Sequence, residues 1–570
     1  MNKPVDLVFL WHMHQPDYRD YATGDFLLPW VYLHATKDYT DMAYHLEQHP
    51  GVKAVVNFVP VLLDQLEDYE QQFASGKIRD PLLRLLARED LNNLSKVERD
   101  LVLDSCFRSN HTKMVVPYPA YKRLSDLFKM LEPGGDAAFA YMSGQYLADL
   151  LVWYHLVWCG ESVRREHDLV IQLMSKDENF SFEDRKKLFD LIGKTIAGVI
   201  PRYRKLAERG QIEISATPHY HPLAPLLLDF NSARESAPDS SLPQSECYPG
   251  GRSRVQAHMR STKESHLARF GVTPQGIWPA EGAVSTELLA VLAEQECRWA
   301  ASGEGVLVHS LHNAGVHVDR AQYLYRPYRL QGAANSVNCF FRDDHLSDLI
   351  GFEYSNWNGK DAALHFVAQI EAIAHNSSEG ETPLVSVILD GENAWEYYPY
   401  NGYHFLNDLY AALETHPTIR TSRYCDYLDK REAQDGVGFA REGELPRLVA
   451  GSWVYGNFST WIGSPDKNHA WDLLCMAKQS YDMVMAGGRL SAAEKIAAEK
   501  QLCSCESSDW FWWFGDYNPS HAVESFDRLY RHNLMHLYNL LKLPVPANLN
   551  YPISQGGGAA ESGGTMRRGS

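Results

Sequence analysis

One recurrence narrows the possible folds more than any other feature. Short β-prone runs at 5–10, 52–59, 211–214, 276–278, 339–341 and 384–389 each end in polar or aromatic residues, and helical patterns fill the intervals between them. Strands alternating with helices predict parallel βα units. Polar residues gathered where the strands finish predict a barrel with its site on the C-terminal face. One helix is predicted over 181–200: Ser181 and Asp184 have capping-box spacing, apolar residues recur at Leu188, Leu191, Ile192, Ile196 and Val199, and Pro201 ends it. The next helix closes at Arg209-Gly210, and a strand follows at once.

A plain barrel of this kind takes ~250 residues, so residues 1–405 are expected to carry insertions. The helical, charged region at about 75–158 is one, and the Ser/Pro-rich stretch 231–251 is a long loop expected near the mouth. After Tyr403 the strand signals fade. Residues 406–548 read as an α-helical domain, with Ser491-Ala-Ala-Glu494 as a further capping box, and the Gly/Ser-rich tail 549–570 reads as disordered.

Composition removes several function classes. The chain of 570 residues has 54 basic against 72 acidic side chains, a net charge of −18, which repels phosphate backbones and anionic lipid surfaces. No run approaches the ~20 apolar residues of a membrane span, so neither nucleic acid nor membrane is an expected partner. The apolar run before Trp11 is too short for a signal peptide, and a cytoplasmic enzyme is the default expectation. Nine cysteines without zinc-ribbon spacing indicate neither a disulfide framework nor a structural metal. The load of 14 Trp and 31 Tyr suits sugars, whose faces are carbon-rich and whose rims are hydroxylated, and suits large cores equally well.

Five segments carry polar groups where chemistry needs them. In LVFLWHMHQPDYRD, strand alternation puts His12 and His14 on one face at a strand end, fit for a metal, a hydroxylated ligand or simply a hydrogen-bonded loop. In GQIEISATPHYHPLAP, Glu213 lies within a strand and His219 and His221 just beyond it; a buried salt bridge to an arginine is the alternative for the glutamate. In GIWPAEG, Trp278 ends a strand and Glu281 follows three residues later, placed either as a catalytic carboxylate against a sugar ring or as a helix-start glutamate. In VSVILDGENAWEYYPY, a buried strand delivers Asp390 to its end, with Glu392, Trp395 and Glu396 crowded behind, an arrangement costly unless used or paired. In the helical part, Trp453, Tyr455, Trp461 and Asp466, then DWFWWFGDYN from Asp509, form either a sugar groove or domain packing, with packing favoured for Trp510 to Phe514.

Taken in order, His12-x-His14-Gln15-Pro16, Gly210-Gln-Ile-Glu213-Ile, Trp278-Pro-Ala-Glu281, Asp390-Gly-Glu392-Asn and the Trp461 segment resemble the five motifs of glycoside hydrolase family 57, spanning nearly all of residues 5–515. The resemblance implies an incomplete (β/α)7 barrel followed by an α-helical C-terminal domain, acting on α-glucans with retention and without a metal or other cofactor. It implies Glu281 as nucleophile and Asp390 as general acid/base. It implies that His12, His14, Gln15, Glu213, His221, Trp278, Glu392, Trp395, Trp461 and Asp466 shape the glucan subsites. The fifth segment is more similar to the amylase and amylopullulanase members than to the branching enzymes.

From that assignment Asp390 is expected to hold its proton near neutrality while Glu281 stays ionised. Three alternatives remain on the sequence: a 4-α-glucanotransferase with the same carboxylates, a metal-dependent hydrolase using His12, His14, His219, His221 and Asp390, and a non-catalytic glucan-binding protein.

Overall fold

The computed structural model of the chain describes residues 3–332 and 337–558. Ten strands form one sheet: β1 (Val5–Met13), β2 (Ala54–Phe58), β3 (Ile212–Ala216), β4 (Gly276–Ile277), β5 (Trp299–Ser302), β6 (Tyr328–Leu330), β7 (Asn338–Phe341), β8 (Leu384–Asp390), β9 (Ile419–Thr421) and β10 (Gly443–Leu445). Their order is β10-β6-β7-β5-β4-β3-β2-β1-β8, with β9 also on β1. Seven of them, β8-β1-β2-β3-β4-β5-β7, run parallel and curl into an incomplete barrel. The seam between β7 and β8 is bridged by single bonds rather than a ladder: Asp343 N–H donates to the Ser386 carbonyl at 2.8 Å and Arg342 Nε to the Ile388 carbonyl at 2.8 Å.

Alternation along the strands sorts the core into two layers. Val8, Leu10, Val55, Trp299, Phe340 and Ile388 fill the barrel interior, where Tyr424, Tyr427 and Leu428 of the helix Tyr424–Ala433 also pack. Leu7, Phe9 and Trp11 belong to the larger cluster shared with the surrounding helices. The predicted (β/α)7 architecture is therefore present, including the capping boxes at Ser181/Asp184 and Ser491/Glu494.

Four expectations are corrected. The helix opened by Ser181 runs through Pro201 to Glu208, so that proline sits inside it. Strands persist beyond residue 406, because β9 pairs with β1 and β10 with β6; the purely helical run begins with the helix Pro465–Ala486. The stretch 231–251 packs away from the cavity described below, with Ser245 held through its backbone N–H and hydroxyl by Asp472, both at 2.8 Å. Of the expected disordered tail, 559–570 lies outside the described residues, whereas 549–558 is anchored: Ser554 is buried, its hydroxyl accepts from Gly515 N–H, and Gly557 N–H donates to the Asn518 carbonyl.

Candidate active site

Parallel register brings a polar row to the C-terminal rim. His12 pairs across the ladder with Asn57 on one side and Asp390 on the other, and Asn57 pairs in turn with Ser215. The row is bonded along its length: His12 Nδ1 lies 2.7 Å from Asn57 Oδ1, and Asn57 Nδ2 donates to Ser215 Oγ at 3.1 Å. Buried polar groups persist only when partnered in this way.

Above this row opens a cavity of about 490 Å³. Its floor is His12, His14, Gln15, His221 and Trp278, and both Glu281 and Asp390 face it. Aromatic walls come from three directions: Trp30 and Trp158 from the helices around β2, Trp453 from the segment after β10, and Trp512 and Trp513 from the C-terminal helices. Such faces bind the carbon face of a sugar while leaving its hydroxyls to the polar floor.

Glu281 stands on the turn after β4 with φ 58° and ψ 25°, the left-handed region that a residue with a Cβ adopts at a cost. Gly282 (φ 56°) allows the same turn, and a Cβ there would come within 2.7 Å of the Trp278 ring. Burial, and then the charge of Asp390, push the Glu281 carboxyl up to about 8; the Trp453 indole N–H, 3.1 Å from Oε2, works the other way. This reverses the expectation that Glu281 stays ionised. Asp390 is also raised by burial, opposed by His12, the Asn393 amide (2.8 Å from Oδ2) and Arg342. The charge of Asp390 thus reaches Glu281 across the cavity that both residues line.

Glu392 is held well above the carboxylate range by burial and by Asp390, and its Oε1 accepts from His14 N–H (3.2 Å) and Gln15 Nε2 (3.3 Å). Burial keeps the imidazoles of His12, His14 and His221 below their ordinary value, so all three are neutral.

Four expected subsite residues lie elsewhere. Glu213 sits in the barrel interior at the level of Val55, because it precedes Ser215 by two residues on the same strand face. Its carboxylate is taken by Trp299 Nε1 (2.7 Å) and the Cys425 N–H (3.0 Å), not by an arginine. Trp395 is buried against Trp11 and Tyr398 and donates to the Gly391 carbonyl at 2.9 Å. Trp461 is buried behind Trp512, with ring centroids 5.7 Å apart, and Asp466 lies in the first turn of the helix Pro465–Ala486.

The histidines do not converge as a metal site requires. His219 turns away to Asp64 (3.0 Å) and Ser261 (2.6 Å). His14, His221 and Asp509 bring ligand atoms within 4.8 Å of one another. The two rings, however, are stacked with centroids 3.8 Å apart and planes at 17°, so their in-plane lone pairs run side by side rather than toward a common ion.

Sequence reasoning missed Asn57 and Arg342, and named Asp509 only as the start of DWFWWFGDYN. Asn57, a lone amide inside VVNFV, was a usable signal. Packing was the favoured reading for Trp510 to Phe514, yet Trp512 and Trp513 line the cavity, and nothing local shows that Asp509 reaches His14 in the barrel.

A parallel barrel with two carboxyls on one aromatic-walled cavity has the make-up of an enzyme that cleaves or transfers glycosidic bonds. The glycosyl hydrolase family 57 model matches residues 8–438, and the chain belongs to that family. Among solved structures it is similar to a GH57-type branching enzyme from Pyrococcus horikoshii (15% identity, TM-score 0.59, covering 95% of this chain and 90% of that one). It is similar also to the alpha-amylase AmyC from Thermotoga maritima (13%, 0.55, 95% and 93%) and to the 4-alpha-glucanotransferase from Thermococcus litoralis (13%, 0.51, 94% and 60%). At these identities the likeness is one of fold. No curated protein matches the chain.

Proposed function

We propose that the protein cleaves α-1,4 linkages of α-glucans by double displacement with retention, Glu281 acting as nucleophile and Asp390 as general acid/base. The observation that carries this is that Glu281 and Asp390 line one aromatic-walled cavity, close enough for the charge of Asp390 to act on Glu281. Family membership and folds shared with an amylase, a branching enzyme and a glucanotransferase support the substrate class.

In the reactive form Glu281 is ionised and Asp390 carries the proton. Glu281 attacks the anomeric carbon as the glycosidic bond breaks, and Asp390 protonates the departing oxygen. Asp390, now ionised, takes a proton from water, whose oxygen displaces Glu281 and restores the starting charges. Arg342 eases that second state, since its charge favours ionised Asp390. The Trp453 N–H favours ionised Glu281 and so the first.

Incubation with maltooligosaccharides followed by chromatography tests the reading. Shorter products are expected, and Glu281→Ala and Asp390→Asn should each lower turnover by orders of magnitude with the fold intact. Longer products would replace water by a sugar hydroxyl as acceptor. Unchanged substrate, or near-wild-type activity in either variant, would refute the assignment.

A further inference from the structure

Asp509 belongs to the C-terminal helical part of the chain yet lines the catalytic cavity, 6% exposed. It is delivered there by a well-braced segment. Glu506, three residues before it, is fully buried and receives Arg254 Nε (2.7 Å) and Nη2 (3.0 Å), Tyr248 OH (2.6 Å) and His258 (2.8 Å). Ser508 N–H then donates to the His221 carbonyl at 2.9 Å, and the Ser507 hydroxyl donates to Asp509 Oδ2 at 2.7 Å.

From this position Asp509 reaches the barrel histidines. His14 Nε2 is 2.9 Å from Oδ1 and 3.2 Å from Oδ2, a near-bidentate contact in which a carboxylate can only accept. His221 Nδ1 lies 3.6 Å from Oδ1 and 2.9 Å from the Ser508 hydroxyl. The His221 ring, on a residue with φ 56°, is stacked under that of His14 and lies 5.5 Å from that of His12, which adjoins Asp390. His14 Nδ1 and His221 Nε2 have no hydrogen-bond partner among the described residues, so the His14 ring is held through Nε2 by Asp509 and the His221 ring through Nδ1 by the Ser508 hydroxyl.

We propose that Asp509 is a positioning residue for the cavity floor: by accepting the Nε2 proton of His14 it fixes the tautomer and orientation of that ring, against which the His221 ring is stacked. The floor supplied by the barrel is then complete only with the helical segment seated. An outer partner that locks the tautomer of a working histidine is a general device, and a 1 Å error in such a wall costs roughly a hundredfold in rate. This rests on the glucan-cleaving reading of the same cavity.

The test is a cycle of Asp509→Ala, His14→Ala and the double variant, read by maltoheptaose binding through tryptophan fluorescence and by kcat and KM, with Asp509→Asn as the conservative replacement. Asp509→Ala is expected to lower kcat/KM by about 30- to 100-fold, Asp509→Asn to recover most of it, and the double variant to be no worse than His14→Ala. Multiplying effects, or Asp509→Ala within twofold of wild type, would overturn the proposal. Should Asp509→Ala not fold, the imidazole ¹⁵N resonances of the wild-type protein decide, assigned to His14 by their loss in His14→Ala. A protonated Nε2 with a bare Nδ1 supports the proposal; the opposite tautomer or a charged ring overturns it. Wild-type binding without turnover would sink the hydrolytic reading alone, because the binding cycle still reports on Asp509.

Discussion

Trp453 holds Glu281 at both ends: its backbone N–H donates to the Glu281 carbonyl and its indole N–H to Oε2, each at 3.1 Å. The same indole packs edge-on against Trp278 and lies 5.4 Å from the guanidinium of Arg342. One side chain therefore links the strained turn that carries Glu281 to the seam of the barrel. Trp453→Phe keeps an aromatic ring against Trp278 and removes the side-chain donor. A hydrogen bond to a charged group is worth about 1.5–3 kcal/mol, so kcat/KM on a maltooligosaccharide should fall roughly 10- to 100-fold while the melting temperature moves by only a few degrees. Unchanged kinetics would show that the indole N–H does not support the ionised carboxylate.

Catalysis by the pair needs one proton and one charge, and the Glu281 carboxyl, at about 8, sets where that proton is lost from the free enzyme. The alkaline limb of kcat/KM should accordingly fall through about pH 8. Stability follows the same group with a definite sign. A carboxyl whose folded value is raised above its unfolded value stabilises the fold below the unfolded value, and that contribution is lost as pH rises through the folded one. Glu281→Gln removes the penalty, so it should raise the melting temperature clearly at pH 9 and little at pH 4. An equal change at both pH values would contradict the raised value.

The strand ends were legible because a buried β-run that stops in His, Trp, Glu or Asp is costly without a purpose, and β1, β4 and β8 all end in that way. Strand β5 was not legible: Trp-Ala-Ala-Ser has no β-branched residue, and it becomes a strand only between β4 and β7. Glu213 was misplaced because sequence shows which face a strand residue takes but not its depth along the barrel axis. Asp509 was hidden for another reason. Its contact with His14 spans 495 residues, and no local pattern reports a carboxylate that crosses from one part of the chain to another.

Gly391 illustrates how tightly the rim is built. Its N–H donates to the His12 carbonyl at 2.7 Å, and a Cβ at this position would lie 2.2 Å from Met13 Sδ and 3.4 Å from that carbonyl. Gly391→Ala must therefore displace the buried Met13 side chain just where Asp390 meets His12. Overpacking of this kind costs about 1–3 kcal/mol, and turnover should fall further than that stability loss alone explains. Urea unfolding and kcat measured on one preparation separate the two; wild-type values in both would mean that the rim yields freely.

Arg342 closes the barrel where the ladder is missing. It is 2% exposed, and besides Ile388 it donates to Asp344 Oδ1 at 2.6 Å and to Asp348 Oδ1 at 2.8 Å. Asp344, pushed up to about 6 by burial even beside this cation, would rise further without it. Arg342→Met should cost about 3–5 kcal/mol, the usual price of breaking a buried pair from one side. The loss should be smaller at pH 5, where a carboxyl with a raised value binds a proton in place of the cation, than at pH 8. Arg342→Lys should rescue little, because a single ammonium cannot meet a carbonyl and two carboxylates in the planar fork that the guanidinium provides. Guanidinium chloride unfolding of both variants at the two pH values is the measurement, and a pH-independent loss, or full rescue by lysine, would show that the seam is held by packing rather than by this charge.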